Sequence, residues 1–362
     1  MTIEERVLTA LQCRQPDRVP VLTFIDPYTE THFLQDPSYA DVLEACVDYA
    51  DVAHNWFFPA GIFCSDAQVP EESRQLPDGR TEHIYHTPKG PLTSITRADW
   101  RGSGTLKRQI SEPEDVERYL SVPYVPQRPD VSGFFRDRET LAGKCVTQLV
   151  FEDPICIAGY VDEMQMAVWT LEHRDLIIEL LEARCERILD QLRYCLEHGM
   201  GPLYYFNGPE YALPPLMSPA DFEEFVVQYD SRLIKLVHSY PGTYTIIHSH
   251  GRVSRFLESF AGMGTDGLNV LEPPPIGDTI LADAKMRIGD RVCLIGNIQY
   301  DDLARGSEEQ VERLVKDAIE QGATGGGFIL APCAKPYESP LPPKASRNLV
   351  HYLRMAHQYG RY

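Results

Sequence analysis

Thr243-Tyr244-Thr245-Ile246-Ile247-His248-Ser249-His250-Gly251 reads as a β-strand that runs into a glycine turn, and Gly327-Phe328-Ile329-Leu330-Ala331-Pro332-Cys333 reads the same way. Side chains two apart on a strand point to one side. His248 and His250 can therefore face one target together. If the two strands belong to one parallel barrel, Cys333 faces it as well. Two imidazoles and a thiolate at a barrel mouth make a metal site that leaves room for a substrate.

Outward from these two stretches, the chain from Gly201 onward alternates strands and helices. Leu203-Tyr204-Tyr205-Phe206-Asn207 reads as a strand, and Ser218 with Pro219 opens a helix that can run to about His238. Residues 253 to 263 read as a helix on the spacing of Phe256, Leu257 and Phe260, and Gly267-Leu268-Asn269-Val270-Leu271 as a strand. Asp278 is placed to cap a helix through Met286. A strand at Val292-Cys293-Leu294-Ile295-Gly296-Asn297, a helix from Glu308 to Gln321 and a terminal helix from about Ala345 to His357 complete the half. Upstream strand candidates are residues 19 to 24, 52 to 58 and 146 to 151. Together these predict an α/β fold, a (β/α)₈ TIM-type barrel, spanning residues 1–362 as a single domain. Residues 69–127 break the rhythm. Asp78-Gly79 and Lys89-Gly90 turns between Thr-, Ile- and Tyr-rich segments predict a small antiparallel excursion there.

Composition bounds the function. The 362 residues are 43% hydrophobic and 24% charged, with a formal net charge of −19 and no basic stripe, which disfavours nucleic acid and anionic membrane surfaces. No apolar run is long enough to cross a bilayer and the N-terminus opens an amphipathic helix rather than a signal peptide, so a cytoplasmic location is expected. Nine cysteines without regular spacing argue against a disulfide framework, and most, such as Cys145, Cys156 and Cys293, read as small core residues.

Barrel enzymes work at the C-terminal ends of their strands. Those ends carry Asp26, Asp66, Glu152 with Asp153, Asn207 with Glu210, His248 with His250, Glu272, Asn297 and Cys333. Each alone has an ordinary structural explanation; their clustering at strand exits is the signal. Glu210 is a candidate fourth metal ligand. Glu272, stiffened by Pro273-Pro274-Pro275, can orient a histidine or act as a general base. Asn297 and Asn207 are candidate substrate donors, and Arg252 and Lys335 can meet one carboxylate or phosphate on a ligand. Gly325-Gly326-Gly327 precedes a strand instead of opening a helix, the wrong order for a phosphate cradle.

Arg6-Val7-Leu8-Thr9-Ala10-Leu11 with Pro16-Asp17-Arg18-Val19-Pro20-Val21 resembles the opening of the uroporphyrinogen decarboxylase superfamily. The likeness continues through Pro214-Pro215-Leu216-Met217-Ser218-Pro219, the His-x-His-Gly turn, Leu294-Ile295-Gly296-Asn297-Ile298 and the segment ending at Cys333. It implies one distorted barrel, often a homodimer, with its site at the C-terminal mouth. The decarboxylase branch holds its octacarboxylate substrate with an Arg-rich segment after the first strand. Here that segment is Ile25-Asp26-Pro27-Tyr28-Thr29-Glu30-Thr31-His32-Phe33, with no arginine. Asp66 looks like the decarboxylase aspartate but lacks those partners.

The chain is more similar to the cobamide-dependent methyltransferase branch. That branch binds zinc through His-x-Cys and a downstream Cys, which His248 and Cys333 match, with His250 in place of the first Cys. The substitution makes a harder donor set that can also admit Fe, Co or Ni. The resemblance implies methyl transfer between a corrinoid on a separate protein and a small thiol or other heteroatom substrate, with zinc as Lewis acid. No Asp-x-His-x-x-Gly corrinoid motif occurs in the chain. The alternatives are a metal-independent lyase using Asp26 or Asp66 on another substrate, and a barrel that binds a ligand or corrinoid partner without turnover.

Overall fold

The computed structural model describes residues 1–99 and 102–362. The chain enters the barrel at β1 (Ala53–Phe57) and leaves it for β2 (Glu71–Gln75), β3 (Arg80–Thr87), β4 (Gly90–Asp99) and β5 (Gly102–Lys107). It returns as β6 (Val146–Glu152), β7 (Leu203–Asn207), β8 (Tyr244–Ser249), β9 (Gly267–Val270), β10 (Cys293–Ile298) and β11 (Phe328–Pro332). Strands β1 and β6 to β11 form one parallel sheet in chain order, and β2 to β5 form a separate antiparallel sheet. Trp100 and Arg101, inside the expected excursion, lie outside the described residues.

The eighth barrel position, expected over residues 19 to 24, is reduced to a bridge. Val21 pairs in parallel with Leu330 of β11, and Asp51 N donates to Val21 O across the other side at 2.7 Å. Prolines explain the shortening: Pro20 has no N–H to give to a ladder. Side chains close the seam instead. Asp51, fully buried, accepts from Arg6 Nη1 (2.7 Å), Arg18 Nη1 (2.7 Å) and Val21 N (2.9 Å). Asp17 in turn holds Arg6 at 2.6 Å. The Pro-Asp-Arg-Val-Pro stretch is thus a fastening for the first strand.

Two cores sit on the two faces of the barrel wall. Strand side chains facing outward pack with the helices in the larger one. Inside, Val146, Leu203, Ile246, Cys293, Ile295 and Ile329 meet Val7, Ala10 and Leu11. The latter three come from the helix Ile3–Leu11, whose capping box on Thr2 and Glu5 fixes its start. That helix plugs the barrel floor and leaves the opposite end open.

Three local expectations change. The helix begun by Ser218 runs to His238 but contains a π turn at Glu223–Val227. Asp278 does not cap the next helix, which spans Leu281–Ile288; its carboxylate takes the Ser254 N–H at 3.0 Å instead. The antiparallel excursion ends at Lys107, and the helices Pro113–Leu120 and Ser132–Thr140 lead back to β6.

Candidate functional site

A cavity of about 510 Å³ opens at the end of the barrel away from the plugging helix. Strand alternation sets its wall: Ala53, Asn55 and Phe57 from β1, Gln148 and Val150 from β6, Tyr205 and Asn207 from β7, Ile246 and His248 from β8. His250, one residue past β8, and Cys333, one past β11, line it too. The imidazoles of His248 and His250 stand edge to face with centroids 4.7 Å apart.

The network behind His248 decides its tautomer. Asn269 Nδ2 donates to Ile295 O at 3.1 Å, so its Oδ1 faces the ring. His248 Nδ1–H then donates to that oxygen at 2.7 Å, and the Tyr205 hydroxyl donates to it at 2.8 Å while lying 2.6 Å from Nδ1. Nε2 is left with a free lone pair. Burial, together with the neighbouring His250, lowers the His248 pKa to about 4, so the ring is neutral at ordinary pH.

His250 is held differently. Its Nδ1 lies 3.2 Å from Glu272 Oε1, and Glu272 Oε2 takes the Gly251 N–H at 2.6 Å. The hydrogen bond to Glu272 raises the His250 pKa against the opposing effect of burial. Burial pushes Glu272 upward, but His250 and the Gly251 N–H outweigh it and leave the carboxyl lowered. Glu272 thus stands where a carboxylate orients an imidazole.

Cys333 is fully buried, with its thiol 3.8 Å from Val270 O, and burial and the Glu272 charge raise its pKa well above the usual value. Glu210 sits in the turn Pro209–Ala212 after β7, outside the cavity lining. Its Oε2 is buried without a partner, its pKa is raised by burial, and His250 pulls it back. Gly208 makes this turn possible: at φ 139° a Cβ would come within 2.1 Å of Asp153 Oδ1.

The donor chemistry fits a divalent ion. Two imidazoles have Nδ1 engaged and Nε2 free, a thiol shares their cavity, and an unpartnered carboxyl oxygen lies beside His250. Among the described residues, however, no three His, Cys, Asp or Glu groups already stand close enough to hold one. The two histidines and Cys333 share one cavity, from β8 and β11, but are not closed into a cage.

The other expected residues divide. Asp26 lines the cavity; burial pushes it up, but His54, Thr29 and the Tyr28 N–H hold it below the normal carboxylate value. Lys335 lines the cavity and pairs with Glu30 at 3.3 Å; Asn207 lines it as well. Asp66, Asn297 and Arg252 do not. Asp66 is exposed on a segment whose backbone joins Val125, and Arg252 is exposed beyond the Gly251 turn. Asn297 is half-buried in β10, beyond Ile295, the residue of that strand that faces the cavity.

Sequence reasoning missed Tyr205, Asn269, Asn55, Gln148 and His54. The signal was present: each is a polar group within a strand of the parallel sheet. Gln148 Nε2 donates to Asn55 Oδ1 at 2.6 Å, so this pair makes a polar step in the wall.

The profile of the uroporphyrinogen decarboxylase (URO-D) family matches residues 154–354. The uroporphyrinogen decarboxylase of Pseudoalteromonas translucida is 27% identical over 155 residues, 41% of this chain and 40% of that protein. That of a Synechocystis strain is 21% identical over 224 residues, 62% and 54% of the two chains. The chain thus spans about half the length of these curated relatives. Among solved structures, a methyltransferase from Methanosarcina mazei is similar over 99% of both chains, with a TM-score of 0.63 at 18% identity, a likeness of fold. Because the family profile runs unbroken from the turn after β6 to the terminal helix, taking in both histidines and Cys333, the chain belongs to the uroporphyrinogen decarboxylase family.

Proposed function

We propose that this protein is a methyltransferase, moving a methyl group between a corrinoid carried by a separate protein and a small thiol or other heteroatom substrate with the help of a divalent metal. The observation that carries the reading is the pairing of two Nδ1-anchored imidazoles with a cysteine in one cavity. The Methanosarcina neighbour's name points the same way, though at that identity it speaks for the fold. His248, His250 and Cys333 would hold the ion, with Glu210 as the fourth donor. Bound zinc would supply Lewis acidity, lowering the pKa of an acceptor thiol so that thiolate forms near neutral pH.

The remaining work falls to the chain's own groups. Tyr205 and Asn269 fix the His248 ring, and Glu272 fixes His250 and can take a proton from it. Phe24 and Phe57 border the cavity with apolar surface. Its lining holds no arginine among the described residues, and Lys335 is already paired with Glu30. A molecule with many carboxylates has nothing there to neutralise it. This lining favours a small substrate of low charge over the octacarboxylate uroporphyrinogen.

One observation favours a second reading. Asp26, 5% exposed and kept ionised at the cavity wall, is placed as a metal-independent lyase would need it. Elemental analysis separates the two. About one ion per chain, lost in both His250→Ala and Cys333→Ala, supports the methyltransferase, as does methyl transfer from methylcobalamin to small thiols. Wild-type protein that takes up no metal after zinc reconstitution overturns it in favour of the lyase.

A further inference from the structure

The cavity wall carries a polar step that the metal donors leave unused. Asn55 and Gln148 are register partners on β1 and β6, and Gln148 Nε2 donates to Asn55 Oδ1 at 2.6 Å. Strand alternation puts each of them one level above the floor core, where Ala53 and Val146 pack, and one level below apolar Phe57 and Val150. One hydrogen bond between two carboxamides leaves one NH₂ and one carbonyl over, whichever way the two planes are turned. Here these are Asn55 Nδ2 and Gln148 Oε1. Among the described residues neither atom has another side-chain partner, and both residues line the cavity. A free donor and a free acceptor thus stand side by side near its bottom.

The charges around this step turn anions away. Asp26 lines the same cavity, and His54, next to Asn55 on β1, donates from Nδ1 to its Oδ2 at 2.8 Å. Thr29 Oγ1 (2.6 Å), Tyr28 N (2.8 Å) and Thr29 N (3.3 Å) occupy its other acceptor positions. Asp26 therefore adds negative charge without offering a free lone pair. Lys335, the one Lys or Arg of the lining among the described residues, is paired with Glu30 at 3.3 Å. A carboxylate ligand brings acceptors only: if one oxygen takes the Asn55 N–H, the other confronts Gln148 Oε1. An ammonium brings donors only and leaves Asn55 Nδ2 facing it. A carboxamide brings one carbonyl and one N–H and matches both.

We propose that Asn55 and Gln148 select a small acceptor thiol whose other end is an uncharged carboxamide, its carbonyl accepting from Asn55 Nδ2 and its N–H donating to Gln148 Oε1. This selection rests on the methyl-transfer reading of the same cavity. His248 and His250 come from β8 and its exit, and Cys333 follows β11. Around the ring, β1 and β6 stand between those two strands, the Val21–Leu330 bridge closing the gap to β11. A short chain with its sulfur among the three donors meets the amide step with its far end. A site that hydrogen-bonds a neutral polar group discriminates strongly, because the wrong ligand leaves the donor or the acceptor unmatched.

Two thiols of one skeleton, 3-mercaptopropionamide and 3-mercaptopropionate, test the selection through their dissociation constants, measured by ligand-detected NMR on metal-free protein at neutral pH. Wild type is expected to bind the amide about tenfold more tightly than the carboxylate, and Asn55→Ala to bring the two within about twofold. Asn55→Asp still accepts from Gln148 Nε2 but exchanges the free donor for an acceptor, so it is expected to prefer cysteamine to the amide. Asn55 is exposed to the cavity, and neither change opens the core. Equal binding of amide and carboxylate by wild type, or a preference that survives in Asn55→Ala, overturns the selection. Methyl transfer from methylcobalamin to both thiols alike would do so as well while leaving the functional reading intact. An amide preference in a protein that transfers no methyl group supports the selection and overturns the functional reading.

Discussion

His248 Nδ1 lies 2.7 Å from Asn269 Oδ1, and Asn269 cannot turn its amide away because its Nδ2 is committed to Ile295 O. This bond selects a neutral His248 with Nε2 free, and burial enforces it: the folded pKa is about 4, against 6.5 for the free side chain. Below 6.5 the unfolded chain binds a proton that the folded chain refuses. The stability associated with a neutral His248 is therefore full above that value and is lost as pH falls toward about 4, by at most about 1.4 kcal/mol per pH unit. Denaturant titrations of metal-free protein at about pH 7 and about pH 5 should show a smaller acid loss in His248→Gln than in wild type. Equal losses would mean that the ring takes up its proton without unfolding.

The His250–Glu272 pair has the opposite sign. His250 is raised above 6.5, so its contribution is complete below 6.5 and disappears as pH rises through the folded value. Glu272 is lowered from 4.5, so its contribution is present above 4.5 and disappears on acidification. Both contribute fully between those values. Glu272→Gln should lower the melting temperature of metal-free protein most at about pH 5.5 and less at about pH 8. The His250 NMR titration should fall back toward 6.5 in the variant. A stability loss that does not vary with pH would point to packing of Glu272 and not to its charge.

Asp51 makes a third prediction. It is fully buried and accepts from two arginines and the Val21 N–H, joining the short first strand to the rest of the barrel. Asp51→Ala leaves Arg18 without its carboxylate and Arg6 with Asp17 alone, so the loss should approach that of a broken buried pair, about 3–5 kcal/mol. Chemical denaturation should show that loss, with Asp51→Asn intermediate because it keeps one acceptor. A cost near that of an exposed ion pair, under about 1 kcal/mol, would show that the seam is held elsewhere.

Much of the barrel was legible because a parallel strand buried on both faces must be a short apolar run, as Leu203–Phe206 and Phe328–Ala331 are. The His248 and His250 pairing was legible because alternation alone puts both on one side. What the sequence concealed are features set by distant partners. The π turn at Glu223–Val227 carries no local mark, and Asp278 prefers the Ser254 N–H to a helix cap only because the fold brings the two together. Asn269 and Tyr205 were hidden inside apolar strands, where one polar residue looks like noise until a neighbouring strand supplies His248. Asp66 misled in the other direction: a carboxylate a few residues past a strand end looks catalytic, and here the chain has already turned outward.

That outward turn gives the last prediction. Asp66 is exposed, its backbone N donates to Val125 O at 2.9 Å, and it contributes nothing to the cavity wall. Asp26 is buried, lines the cavity and is held ionised. A reaction that depends on a carboxylate in this cavity must therefore respond to Asp26→Asn and ignore Asp66→Ala. Steady-state kinetics on whichever substrate turns over should place Asp66→Ala within about twofold of wild type, under 0.5 kcal/mol of barrier, and Asp26→Asn at a loss of about tenfold or more, beyond 1.36 kcal/mol. The comparison is internal, so it holds for methyl transfer and for a lyase alike. A tenfold loss in Asp66→Ala would require the segment around residue 66 to fold over the mouth during the reaction, because in the present arrangement its carboxylate reaches no atom of the cavity.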